Sequence, residues 1–300
     1  MKRFLKVAAF AAGGLIVLAG AGVAGLYAWS NGELTATVED PTHPFTAPTD
    51  SASIARGEHV MKALAKCGDC HGEDFGGRTM VDDAAIGRLS GPNITTGRGG
   101  VLSGMTDADI ERAIRHGVAK DGRRLVLMPS HEYQLMSDED VGVLIAYLRT
   151  VAPVDREIPP NRVGPLARAL YATNKMPLFP ANSVTHRNEV VPSVAPDSTV
   201  AYGRYLANGG CSGCHAQNFS GGPIGGAPPD WPHASNLTPT GLAAYNYDAF
   251  VRVLTTGTRP DGTTLHPVMP VQATKLMTPV EMTAIWKYLQ TVPAAETGTR

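Results

Sequence analysis

The chain has 300 residues, a formal net charge of −1, 18% charged and 6% aromatic residues, and generous Gly (33) and Pro (23). That length accommodates about two domains, and the mix suits compact, loop-rich modules with short helices rather than coiled coils or broad sheets. There is none of the strong basic excess that a nucleic-acid partner requires, which excludes that class.

Lys2, Arg3 and Lys6 precede an uncharged run of 23 residues, Val7 to Trp29. About 20 residues suffice for a helix to cross the hydrocarbon core. A cleaved signal peptide usually has an apolar region of only about 7–15 residues. Residues 1–30 are therefore predicted to be a transmembrane signal-anchor. The small residues Ala19-Gly20-Ala21 leave cleavage as the alternative, which would give a soluble periplasmic protein. Either way the basic end stays in the cytoplasm and the rest is exported. Residues 31–51 are polar and contain Pro41, Pro44 and Pro48. They read as a tether, or else as ordered surface of the domain that follows.

The first domain is placed at 52–155. Gly57, Val60, Met61 and Leu64 fall at helical spacing and lead into Cys67-Gly68-Asp69-Cys70-His71. Residues 72–100 are glycine-rich, carry Asn93-Ile94-Thr95 and show no secondary-structure period. Thr106 and Asp109 form a capping-box pattern before a helix that ends at Gly117. Asp121-Gly122 marks a turn, followed by Met128-Pro129. Ser137 and three acids open a helix that buries Val141, Leu144, Ile145 and Leu148.

Residues 156–197 are a Pro-rich linker with a short helix predicted at Leu166 to Tyr171. The second domain, 198–293, repeats the order of the first, and 294–300 is a tail. Cys67 corresponds to Cys211 at an offset of 144, Asn93 to Asn236 at 143, and Met128 to Met269 at 141. Tyr147 corresponds to Tyr288, also at 141. A near-constant offset is the signature of tandem duplication.

Each half therefore carries one Cys-x-x-Cys-His, the second being Cys211-Ser212-Gly213-Cys214-His215, and together they use all four cysteines. This pattern is the attachment site of a c-type haem. Two sulfurs bond to the macrocycle and the histidine ligates the iron. A thiol-redox pair would not require the histidine, and a zinc site would need two more ligands at suitable spacing. Duplication removes chance. Two covalently attached haem c groups are expected, at Cys67, Cys70 and His71 and at Cys211, Cys214 and His215.

A methionine in the sixth position suits electron transfer. Only Met128/Met269 and Met136/Met277 match across the repeat. Met136 and Met277 sit at a helix mouth, where packing explains them. Met128 and Met269 each precede a proline, which favours extended backbone, so they are the predicted distal ligands. Core methionines are the bland alternative. His116, His131, His186, His233 and His266 do not pair across the repeat and read as surface or loop residues. Opening and closing helices are predicted to cross in each domain, at Gly57 against Tyr147 and at Gly203 against Tyr288.

With these motifs and the closing "AYLRTVAPV" and "KYLQTVPAA" helices, the chain resembles class I cytochromes c in tandem. "NITTGRGGVLSGMTDADIERAIRHGVAKDG" and "LRTVAPVDREIPPNRVGPLARAL" are similar to the membrane-anchored cytochrome c subunits of bacterial alcohol, aldehyde and gluconate dehydrogenase complexes. The resemblance covers about residues 50–293. It implies a mainly α fold, two cytochrome c-like domains behind an N-terminal transmembrane helix, in the bacterial inner membrane with the haem domains in the periplasm. It also implies a periplasmic dehydrogenase as electron donor. A quinone, a soluble cytochrome or a terminal oxidase would be the acceptor. An electron carrier or complex subunit is expected rather than a stand-alone enzyme. The alternatives are a di-haem enzyme of the peroxidase or thiosulfate-oxidising type, and a gas sensor. Both need an open iron position, and the matched Met128 and Met269 speak against that.

Overall fold

The computed structural model describes residues 2–39, 44–186, 190–228 and 230–299. Of the tether, residues 40–43 with Pro41 lie outside the described residues, as do 187–189 of the linker and the last tail residue.

Helix α1 runs from Lys2 to Thr35. Among the described residues it is the one helix long and apolar enough to cross a membrane, with a mean hydropathy of 2.1 in its most apolar stretch. Its far end is docked. Trp29 stacks on Tyr171 with ring centroids 5.4 Å apart. The Arg168 guanidinium lies 4.4 Å from the Tyr27 ring centroid and donates to Ser30 Oγ at 2.5 Å and Asn31 Oδ1 at 2.9 Å. Arg124 pairs with Glu33 at 3.1 Å. Beyond the helix, the Val38 amide donates to the Gly122 carbonyl and the Ala47 amide to Asp107. The described part of 31–51 is thus helix end and ordered surface of the first domain, not a free tether. Arg168→Ala should cost about 1–3 kcal/mol, because it strands buried acceptors and strips a cation–π contact. Proteolysis between residues 31 and 39 should accelerate in that variant. Unchanged cleavage would mean that Arg168 does not hold the helix.

The first domain opens with α2 (Ser51–His59), capped by Asp50, and continues without a break through a π-helical turn, Val60–Leu64. Short helix α3 (Gly68–His71) carries the end of the first motif. Strands β1 (Arg78–Asp83) and β2 (Gly87–Gly91) form an antiparallel hairpin, and β3 (Arg162–Val163) adds to β2. Then come α4 (Asp107–His116), α5 (Ser130–Tyr133) and α6 (Asp138–Leu148). Thr106 and Asp109 make the predicted capping box, and Gly117 closes α4 at φ 64°. Ser137 caps α6.

The linker holds α7 (Pro165–Ala172) and a 3₁₀ turn at Pro180–Ser183. The second domain has α8 (Val200–Gly210), α9 (Ser212–His215), α10 (Tyr247–Thr256), α11 (Val271–Thr274) and α12 (Pro279–Leu289).

Each domain is built on the predicted crossing of its opening and closing helices. A Cβ on Gly57 would lie 1.8 Å from the Val143 carbonyl oxygen and 2.9 Å from Tyr147 Cβ. On Gly203 it would lie 1.9 Å from the Ala284 carbonyl oxygen and 2.9 Å from Tyr288 Cβ. Only glycine lets the backbones approach this closely. Separate apolar cores form on the two crossings. A third, smaller cluster of Leu89, Val163, Ala167 and Leu178 binds the linker to the hairpin.

The hairpin lies inside the stretch expected to be irregular. Its outer strand shows no alternation of buried and exposed positions, so no period marked it. Asp83 shapes its turn by accepting from the amides of Ala85 and Ile86, and β3 supports it from more than seventy residues away.

The domains meet through charged and phenolic groups. His59 Nε2 lies 2.8 Å from Glu281, Arg56 reaches Asp140 at 3.2 Å and Glu281 at 3.4 Å, and Tyr205 donates to Asp140 at 2.7 Å. Burial pushes the Glu281 pKa up, but hydrogen bonds from His59 and the Thr278 amide, with the Arg56 charge, hold it net below the usual glutamate value. A carboxylate depressed in the folded state stabilises above its unfolded pKa, and the contribution is lost as pH falls through the folded value. Below about pH 4, hydrogen exchange at the faces of α2 and α12 should therefore rise before either domain unfolds. In Glu281→Gln that acid step should disappear. An acid step of the same size would assign it to other groups at the interface.

Candidate haem sites

The turn after the first motif aims His71 inward. The ring is buried, and Nδ1 lies 2.8 Å from the Pro92 carbonyl oxygen. A carbonyl only accepts, so Nδ1 carries the proton and donates. That leaves the Nε2 lone pair for a metal. The second site repeats the arrangement, with His215 Nδ1 donating to the Ser235 carbonyl at 2.8 Å. Burial pushes both imidazole pKa values down, against the pull of those carbonyls. A neutral ring is the form that ligates iron.

The four thiols are pushed the opposite way from redox cysteines. Burial raises the pKa of Cys67 to about 12 and also raises Cys70, Cys211 and Cys214. Reactive Cys-x-x-Cys pairs have lowered values. The raised values give the thiol-redox reading no support.

His71, Cys67 and Cys70 open onto a cavity of about 770 Å³, walled by apolar side chains such as Leu102, Ile114 and Leu144. That volume lies within the roughly 300–1,000 Å³ range of cofactor sites. Four methionines line it: Met61 in the π-helical turn, Met80 on β1, Met105 before α4, and Met128. The structure thus brings the predicted Met128 into the same cavity as His71, along with three other thioethers. Linker residues Ile158, Pro159 and Pro160 complete the wall. In the second domain Cys211 and Met269 both pack against the apolar core, and His215 is buried.

The Met-Pro stretches have one geometry. Pro129 has φ −79°, ψ 52° and Pro270 φ −78°, ψ 63°. The amides of Ser130 and Val271 donate back to the carbonyls of Met128 and Met269, each at 2.8 Å. This is an inverse γ-turn, which holds each methionine in a bent loop rather than a helix. In the first domain the loop is further braced by Leu127, at φ 61°, whose amide donates to Leu178 of the linker. Met136 is buried and Met277 partly buried beneath the helix mouths, in packing positions.

A pair of residues given no role in the sequence reading proves structural at both sites. Asn93 is fully buried, donates to the Val154 and Arg156 carbonyls and accepts from the Thr95 amide. Asn236 does the same with Ala295 and Thr238. The repeated Asn-x-Thr was the available signal. Each asparagine directly follows the histidine's carbonyl partner, Pro92 or Ser235, and ties that loop to the segment leaving the closing helix. His116 differs from expectation: it is buried at the end of α4, its ring 5.5 Å from that of His186.

The donor sets fit a haem c: each domain supplies two thiols and an imidazole with its tautomer fixed, the first adds an apolar cavity lined by thioethers, and the second packs Met269 against its core. Comparison with known proteins agrees. The family described as cytochrome c oxidase, cbb3-type, subunit III matches residues 52–148, and the family described as cytochrome c matches 200–293. The chain is similar to the cytochrome c subunit of a quinone-dependent alcohol dehydrogenase from Gluconacetobacter polyoxogenes, 29% identical over 83% of this chain and 58% of the relative. It is 31% identical to the gluconate 2-dehydrogenase cytochrome c subunit of Pantoea cypripedii, over 55% of this chain and 38% of the relative. A diheme cytochrome c-type protein of Cereibacter sphaeroides is 27% identical over 94% of this chain and 98% of its own length. The chain spans little more than half the length of the alcohol dehydrogenase subunits it matches.

Proposed function

The chain belongs to the cytochromes c, with two domains of that family in tandem and two covalently bound haem c groups, and from that premise we propose that it carries electrons from a periplasmic dehydrogenase to a respiratory-chain acceptor. The observation that carries this reading is the repeated site: a neutral histidine with one nitrogen committed to a carbonyl, behind a cysteine pair, with a Met-Pro γ-turn in the same core. His71 and Met128 would ligate one iron, and His215 and Met269 the other. The haem supplies one-electron chemistry. The chain's own residues orient it, keep water out and fix the imidazole tautomer. No general base or nucleophile is needed. The names of the relatives support a dehydrogenase donor. A quinone, a soluble cytochrome or a terminal oxidase fits as acceptor. Helix α1, with its basic start and long apolar run, supports anchoring in the inner membrane with the haem domains in the periplasm.

The test is mild detergent extraction of native membranes followed by purification of the full chain. A bound dehydrogenase whose substrate reduces both haems is expected. A chain that purifies alone, with haems that stay oxidised when membranes receive alcohols, aldehydes or gluconate, would overturn the donor assignment.

A further inference from the structure

The two domains meet through corresponding residues. With Gly57 matched to Gly203, Arg56 corresponds to Tyr202 and His59 to Tyr205; Asp140 corresponds to Glu281 at the closing-helix offset. Across the interface His59 meets Glu281 at 2.8 Å while its counterpart Tyr205 meets Asp140 at 2.7 Å. Arg56 meets its own counterpart, Tyr202, at 3.3 Å. Met136 and Met277, also counterparts, line one small space of about 30 Å³ between the domains. Pairs that exchange roles in this way define an approximate twofold, the arrangement of an isologous dimer formed within one chain.

That axis brings the two haem-attachment segments together. Lys66, immediately before Cys67, donates from Nζ to the carbonyl of Gly210, immediately before Cys211, at 2.6 Å. These too are counterparts, at the offset of 144 that relates the cysteines. Leu64 packs against both cores. Inside the second motif, a Cβ on Gly213 would lie 2.1 Å from Glu132 Oε1 of the first domain, so glycine is what lets that side chain rest against the motif.

The symmetry is broken between each crossing and its motif. Ten residues separate Gly57 from Cys67, but eight separate Gly203 from Cys211. The extra residues are absorbed by the π-helical turn at Val60–Leu64 and by Lys66 itself, at φ 53°. π turns inside α-helices are rare and concentrate at functional sites. A non-glycine residue in the left-handed region is held there by its surroundings at a cost of about 1–3 kcal/mol. Here the hydrogen bond to Gly210 is the visible restraint.

We infer that Lys66 is a positioning residue for electron exchange between the two sites: it straps the segment entering Cys67 to the segment entering Cys211 and holds the attachment motifs in contact. This rests on the electron-carrier reading above. One electron leaves the reduced site and arrives at the oxidised one. No bond to Lys66 forms or breaks, and no further oxidant or reductant is required. Exchange rates fall steeply with separation, so a strap that closes the gap acts on rate and leaves driving force unchanged.

The test uses the full haem-loaded chain, with rapid photochemical injection of less than one electron per molecule and optical detection of re-equilibration. Lys66→Met keeps the length of the side chain and removes its donor. It should slow the exchange at least tenfold, leave both midpoint potentials in place, and raise hydrogen exchange across residues 209–215. Lys66→Arg should recover most of the rate. Should Lys66→Met incorporate haem poorly, Gly213→Ala, which pushes Glu132 off the motif, reads the same gap and should also slow exchange. A wild-type rate in Lys66→Met, or a slowing accounted for by shifted potentials, would overturn the positioning role. Absence of any exchange in the wild type would instead overturn the carrier reading of the pair.

Discussion

Gly57→Ala and Gly203→Ala should each destabilise their domain by about 3 kcal/mol or more, the upper end of overpacking costs. One added methyl would sit 1.8 or 1.9 Å from a backbone carbonyl oxygen of the facing helix, and a carbonyl cannot rotate aside as a side-chain tip can. The helices must separate, and each crossing carries its domain's core. Thermal melting should show a domain-selective loss: Gly57→Ala should lower the transition of the first domain and its haem content, and Gly203→Ala those of the second. Gly209→Ala is the control. It lies in the same helix as Gly203 with nothing within 4 Å of the added carbon, and alanine is the better helix former. It should be neutral or slightly stabilising. Equal melting of Gly203→Ala and wild type would mean that the close approach is not what joins α8 to α12.

Met128→Ala and Met269→Ala should each lower one haem potential by more than about 60 mV, a tenfold change in a one-electron equilibrium. Thioether ligation raises the potential, and its loss removes the weak near-infrared sulfur-to-iron band for that site. The first cavity makes the test sharper, because Met80 and Met105 line it as well. Met80→Ala and Met105→Ala should keep the band and shift the potential little. If Met80→Ala abolishes it instead, the ligand comes from the hairpin, whose place in the second domain is taken, among the described residues, by a single antiparallel bridge between Gly222 and Ala234. The two sites would then differ in kind.

Much of this was readable beforehand, because the informative features are local. Capping at Thr106 and Ser137, the glycine after α4 and the apolar spacing of α6 are each set within a few residues, and all occur as expected. The duplication supplied the rest by letting one half vouch for the other, as at Gly57 and Gly203. Non-local features did not show. The hairpin depends on a strand from the linker and on an aspartate turn. His116 is buried because a loop from far along the chain lays His186 against it. The docking of α1 rests on Arg168 and Tyr171, which read only as parts of a short helix. The π turn could have been suspected from the two-residue mismatch between repeats, but no periodicity announces one.

The asparagine struts redefine what was copied when the chain was duplicated. Asn93 is anchored by the carbonyls of Val154 and Arg156, and Asn236 by that of Ala295. Both sets of acceptors lie past Pro153 and Pro293, which follow the last residues of the closing helices, Leu148 and Leu289, by five and four positions. In the first half that trailing segment also walls the cavity. The portable piece is therefore a helix-framed body plus a short trailing lash that returns to its own binding site. Cutting at residue 153 or 293 would leave an asparagine with no acceptor and, in the first half, an open wall. A graft of either half into another protein keeps its integrity only if the lash travels with it.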